Sequence, residues 1–132
     1  MPHISKKRLE QEIFLAMYER FYKTIVSLKN RNESGKFMRE LLTPTERIML
    51  VKRLALVYMI YKGHSDYEIW NVLKISPSTV ARYHLKSDSK EFIFLTSVLK
   101  KHEGLSEIFD KIESFLAHRG RGKGRWDFLN KL

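Results

Sequence analysis

The sequence predicts an all-α protein, and three observations carry that reading. Apolar residues recur at helical spacings of three and four along most of the chain, and no stretch alternates apolar and polar residues as a half-buried strand would. Helix start signals stand complete at Thr43-Pro44-Thr45-Glu46, at Ser65 with Glu68, and at Ser76-Pro77. The chain has 132 residues, 43% of them hydrophobic, which suits one domain with a real core.

Residues 5–29 read as one long amphipathic helix with Leu9, Ile13, Met17, Phe21, Ile25 and Leu28 on one face. These side chains are expected in the core. The polar stretch from Asn30 to Gly35 is expected to end that helix, and a short helix over about 36–42 follows. Thr43 caps the next helix, Pro44 takes its first position and Glu46 completes a capping box. That helix runs to about Lys62, with Gly63 as its stop. From Ile48 to Tyr61 it is apolar except at Lys52 and Arg53, so it needs cover on every side. So small a chain has few helices to give it. A homodimer in which a second subunit supplies the cover, with long N-terminal helices exchanged, is the simplest arrangement.

Ser65 to Arg82 reads as two short helices joined by a tight turn. Ser65 and Glu68 form a capping box, and Ile69, Val72 and Leu73 share one face. Ser76 caps the second helix, Pro77 occupies its first position, and Ile75 with Val80 matches a hydrophobic staple. Ser78, Thr79, Ala81 and Arg82 are left pointing outward. This is either an ordinary helical hairpin or a helix-turn-helix, about 65–86, whose second helix enters a DNA major groove N-terminus first. Small and hydroxyl residues on the outer face favour the second, since a merely solvated helix more often carries Glu and Lys. Charge points the same way: 25 Lys and Arg against 15 Asp and Glu give +10, with a pI near 9.9, which suits a polyanion.

Ser87-Asp88-Ser89 is expected to start a further helix that carries Phe92, Leu95 and Leu99 inward and stops at His102-Glu103-Gly104. A last helix, about 105–118, presents Leu105, Ile108, Ile112 and Phe115. The domain therefore spans 1–118, and 119–132 is a basic Gly/Arg-rich tail carrying Arg119, Arg121, Lys123 and Arg125. The tail is either a solubilising segment or a flexible arm that contacts phosphates.

Other chemistries find little support. There is no cysteine, so disulfides and thiolate chemistry are excluded. His3, His64, His84, His102 and His118 are scattered and read as surface residues without metal-ligand spacing. No nucleophilic triad or carboxylate pair stands out, and GRGKG lacks the spacing of a phosphate loop. An enzyme, a metal and a cofactor are not expected. Lys6-Lys7-Arg8 is followed by Glu10, Glu12 and Glu19 rather than by an apolar run, and 48–61 is too short and charged to span a membrane. The expectation is a soluble cytoplasmic protein with no membrane partner.

Leu41-Leu42-Thr43-Pro44-x-Glu46-Arg47, then Lys62-Gly63, then Ser65 to Arg82 resembles, in that order, the tryptophan repressor superfamily, over roughly residues 10–100. The likeness is nearest to its YerC-like branch, which has no demonstrated corepressor. It implies an intertwined Trp repressor-like helical homodimer that binds double-stranded DNA at a pseudo-palindromic operator, as a sequence-specific regulator and repressor; the Trp repressor is itself a standing example of helix-turn-helix docking. In the family two arginines sandwich the corepressor's indole. Arg53 and Arg82 occupy those places, and Thr43 and Thr79 match two further pocket residues. The family's glycine after the second arginine is Tyr83 here, whose ring fills the space the indole needs. The resemblance thus implies a vestigial pocket, and L-tryptophan is not expected as corepressor. The family's serine near the end of the reading head is Lys86, and the preceding turn is one residue shorter.

Ser78, Thr79 and Arg82, with Ser76, Pro77 and Ala81 beside them, are the candidates for base edges. Tyr67, His84 and Lys86 are assigned to phosphates. Arg82 also admits a ligand or structural pairing with a carboxylate, and Trp70 reads as packing beneath the hairpin. Two other functions fit the composition: an RNA-binding or ribonucleoprotein accessory protein using the basic surface and tail, and a structural dimerisation module.

Overall fold

Six helices appear in the computed structural model, which describes residues 10–101 together with 110, 111 and 114. They are α1 (Gln11–Ser27), α2 (Arg31–Leu41), α3 (Pro44–Tyr61), α4 (Asp66–Leu73), α5 (Pro77–Asp88) and α6 (Ile93–Lys101). No strand occurs among the described residues. His3, His102, His118, the stop at 102–104, the domain boundary at 118 and the tail arginines and lysine lie outside them. Of the last expected helix, Asp110, Lys111 and Ser114 are described and are helical. The helices fall into two compact units, one ending at Leu42 and the other starting at Thr43.

In the first unit three expectations are corrected. α1 starts at Gln11, after a non-helical Glu10, and ends at Ser27; residues 5–9 of the helix expected over 5–29 lie outside the described residues. α1 does end ahead of Asn30, but Asn30 to Gly35 is no loop: it opens α2. The Asn30 side chain accepts from the Glu33 N–H at 3.0 Å, and the Glu33 carboxylate accepts from the Lys29 N–H at 2.7 Å. This cap outweighs Gly35, whose cost inside a helix is only about 1 kcal/mol relative to alanine. The α1 side chains expected in the core are exposed among the described residues: Ile13 is 50% and Met17 54% exposed, and Phe21 and Ile25 are exposed as well, while Leu9 lies outside them. Phe14, Tyr18 and Tyr22 form a ladder along α1, with ring centroids 4.9 and 5.8 Å apart.

The second unit is built around α3. The Thr43 hydroxyl accepts from the Glu46 N–H at 3.2 Å, and the Glu46 carboxylate accepts from the Thr43 N–H at 2.9 Å. The Thr43 backbone N–H, helped by the Thr43 side chain, holds the Glu46 carboxyl below its usual range. At the other end Gly63 has φ +83°. The His64 N–H reaches the Met59 carbonyl and the Gly63 N–H the Ile60 carbonyl, the paired bonds of a Schellman motif. Between these ends the buried face of α3 divides in two. Leu56 and Met59 pack with Ile69 of α4 and Val80 of α5, while Val57 and Tyr58 pack with Leu99 of α6. Other apolar residues of α3 are exposed among the described residues: Val51 is 59% exposed, and Leu50, Leu54 and Tyr61 are exposed too.

α6 does not start at Ser87-Ser89. Those residues finish α5, where the Leu85, Lys86 and Ser87 carbonyls accept from the N–H groups of Ser89, Glu91 and Lys90, and the Ser89 hydroxyl donates to Lys86. The chain turns through Lys90 at φ +65° before α6 begins. Phe92, Leu95 and Leu99 do pack inward as expected.

Candidate nucleic-acid interface

Both start signals of the hairpin form. The Ser65 hydroxyl accepts from the Glu68 N–H and the Glu68 carboxylate from the Ser65 N–H, each at 3.2 Å. The Ser65 backbone N–H is the main reason the Glu68 carboxyl is held below its usual range, aided by the Ser65 hydroxyl and by His64. His64 is therefore no surface residue: its side chain is 7% exposed, with Nδ1 3.4 Å from Glu68. α4 ends at Lys74, which takes a left-handed conformation at φ 55°, ψ 46°. Ser76 then caps α5 by accepting from the Thr79 N–H at 3.3 Å, and its Oγ lies 2.8 Å from Thr79 Oγ1 and 3.2 Å from Ser78 Oγ.

The turn is held from below. Val80 and Ile69 are fully buried with Leu56 and Met59, and Trp70, Val72, Leu73 and Ile75 pack around them. Ile75 and Val80 thus join one cluster, as a staple requires. Trp70 packs as expected, with Tyr67 edge-to-face on it at 4.9 Å. With Val80 fixed inward, the helical period turns the other side of α5 outward. Ser76, Pro77, Ser78, Ala81 and Arg82 are exposed there, as is Tyr67 on α4, and Thr79 is half-buried. An outer surface of hydroxyls, a small residue and one guanidinium can meet base edges closely, and Arg82 can pair bidentately with guanine.

The remaining candidates are more constrained. His84 is half-buried and its Nδ1 contacts the Asp66 carboxylate at the start of α4, so the phosphate role expected for it competes with that contact. Asp66 is a participant the sequence did not reveal, because nothing in the spacing pairs residues of two different helices. Lys86 is half-buried, with Nζ 5.2 Å from the Tyr83 ring centroid. Of the expected vestigial pocket, Thr43 and Thr79 have their hydroxyls engaged in helix caps. Arg53 is exposed on α3, Arg82 lies 5.9 Å from the Tyr83 ring centroid, and Tyr83 packs into the core. Among the described residues no cluster of His, Asp and Glu could hold a metal ion.

Comparison with known families decides the class. Residues 16–94, more than half of the chain and all of α2 to α5, match the family described as Trp repressor protein. The chain belongs to the Trp repressor family. No curated protein and no solved structure matches it. Membership places this Trp repressor-family chain in a family of DNA-binding transcription regulators, and the six helices among the described residues agree with the all-α class. No helix among the described residues is long and apolar enough to cross a membrane.

Proposed function

We propose that this Trp repressor-family protein is a cytoplasmic, dimeric, sequence-specific repressor that reads a pseudo-palindromic operator with α5. The observation that carries the reading is the two-sidedness of α5: Val80 is wholly buried while Ser76, Pro77, Ser78, Ala81 and Arg82 are exposed. In this reading α4 and α5 form the helix-turn-helix, and two copies of α5 meet successive major grooves one helical turn apart. Ser78, Thr79 and Arg82 contact bases, and Tyr67 and Lys86 contact phosphates. A second subunit covers the exposed apolar faces of α1 and α3. Regulation is independent of L-tryptophan, as in the corepressor-free branch, since Tyr83 fills rather than leaves space. The basic tail adds phosphate contacts without sequence information.

Arg82→Ala separates this reading from its competitors. Losing one bidentate base contact is worth about 1–3 kcal/mol, so affinity for the specific duplex falls roughly 5- to 150-fold while binding to random duplex is largely kept. An RNA-binding protein would show little change on its RNA, and a structural module no change on any nucleic acid.

A further inference from the structure

Among the described residues, Tyr83 alone packs against both hydrophobic clusters, the one that α3 forms with α4 and α5 and the one it forms with α6. Its ring is stacked on Phe92, with centroids 5.7 Å apart and planes 10° from parallel. Phe92 lies just ahead of α6, so the stack ties the middle of α5 across the turn at Lys90 to the next helix. Two cations gather on the same ring: Arg82 Cζ stands 5.9 Å and Lys86 Nζ 5.2 Å from its centroid, both within cation–π reach. One side chain therefore touches both halves of the core and two basic groups, exposed Arg82 and half-buried Lys86.

We propose that Tyr83 is a positioning residue: stacked on Phe92, it fixes how α5 sits on α3 and α6 and holds Arg82 and Lys86 at their stations, so that the reading head stays in its DNA-competent orientation without a ligand. This rests on the reading of α5 as the DNA-contacting helix. Tyr83 makes no base contact itself. Val80 fixes α5 on the side of α4, and without the stack the helix keeps that anchor but can pivot about it. Two basic side chains then lose a common platform. Specific binding suffers most, because base contacts need register, whereas phosphate contacts tolerate displacement.

The test compares wild type, Tyr83→Phe, Tyr83→Leu and Phe92→Leu in the full chain. Each is titrated against the duplex recovered from a random DNA pool and against random duplex, and amide exchange of α5 is compared with that of α3 in the free protein. Tyr83→Phe keeps the ring and is expected to stay within about twofold of wild type. Tyr83→Leu and Phe92→Leu remove the ring pair from opposite sides. Each is expected to lose about threefold to tenfold on the specific duplex only, in line with the worth of an aromatic pair, and to exchange faster in α5 than in α3. Folded leucine variants with unchanged specific affinity, or with α5 exchange tracking that of α3, overturn the proposal. The exchange comparison needs no DNA, so it still decides the positioning role if the wild type shows no preference among duplexes; that outcome overturns the α5 reading instead.

Discussion

Arg82 and Tyr83 are neighbours with opposite surroundings, one exposed and one packed between two clusters. Their order matters because in a helix adjacent positions face different directions, so a basic contact and its support can follow one another directly. The same packing makes a small-molecule prediction. Calorimetric titration with L-tryptophan is expected to give no binding heat, and a saturable isotherm would show that the Tyr83 ring yields its place. Two carboxylates at this scale contribute to the acid sensitivity of the fold. Glu46 and Glu68 are both held below their usual value of 4.5 by the backbone N–H groups they cap. A carboxyl whose folded-state pKa is depressed stabilises the fold above its unfolded pKa, and that contribution is lost as pH falls through the folded value. The melting temperature is therefore expected to drop below pH 4.5, and Glu46→Gln with Glu68→Gln should flatten that drop while lowering stability at neutral pH. An unchanged acid profile in the double variant would remove the capping boxes from the account.

At the scale of the element, α5 works only if its inner side is immobile. Met59→Ala opens a cavity under the turn where Leu56, Ile69 and Val80 meet, and it is expected to lower unfolding free energy by about 2–5 kcal/mol in urea titration. Ser76→Ala removes the cap of α5 and should cost about 1 kcal/mol; a neutral effect would mean the cap is dispensable. Which elements were legible follows from what their signals are made of. Thr43-Pro44-Thr45-Glu46, Ser65 with Glu68, and Ser76-Pro77 are local patterns whose hydrogen bonds close within four residues, and all three helices begin where these patterns stand. Asn30 with Glu33 is the same kind of signal, masked in the sequence by Gly35 in a polar stretch, and α2 begins five residues ahead of the expected position. Ser87-Asp88-Ser89 is as good a helix end as a start, so the start of α6 is not legible there; packing between elements, with Phe92 stacked on Tyr83, accompanies the later start. Lys74 in the left-handed region carries no sequence signal, since glycine is the usual mark of that conformation. The outward set on α5 was legible from periodicity, whereas the Asp66–His84 pair and the Tyr83–Phe92 stack depend on contacts between elements.

At the scale of the whole molecule, the described residues leave much apolar surface exposed. α1 presents Ile13, Met17, Phe21 and Ile25, and α3 presents Leu50, Val51 and Leu54, to solvent in a single copy. Exposed surface of this kind marks an association site, and a closed two-fold dimer is the commonest way to cover it. Sedimentation at micromolar concentration is expected to give a dimer; a stable, well-folded monomer would leave the apolar faces of both units unexplained. Charge of +10 operates at this scale too. Each phosphate that a tail cation neutralises steepens the salt dependence of binding by about 0.9 log unit, so removing 119–132 should lower the slope by roughly three to four for each tail engaged, and an unchanged slope would dismiss the arm. The central claim, that two copies of α5 read base sequence in successive major grooves, is tested most directly by selecting bound duplexes from a random DNA pool with the full-length protein. The account predicts a two-fold symmetric motif whose half-sites lie about one helical turn apart; a pool that returns no motif, or one without symmetry, would contradict it.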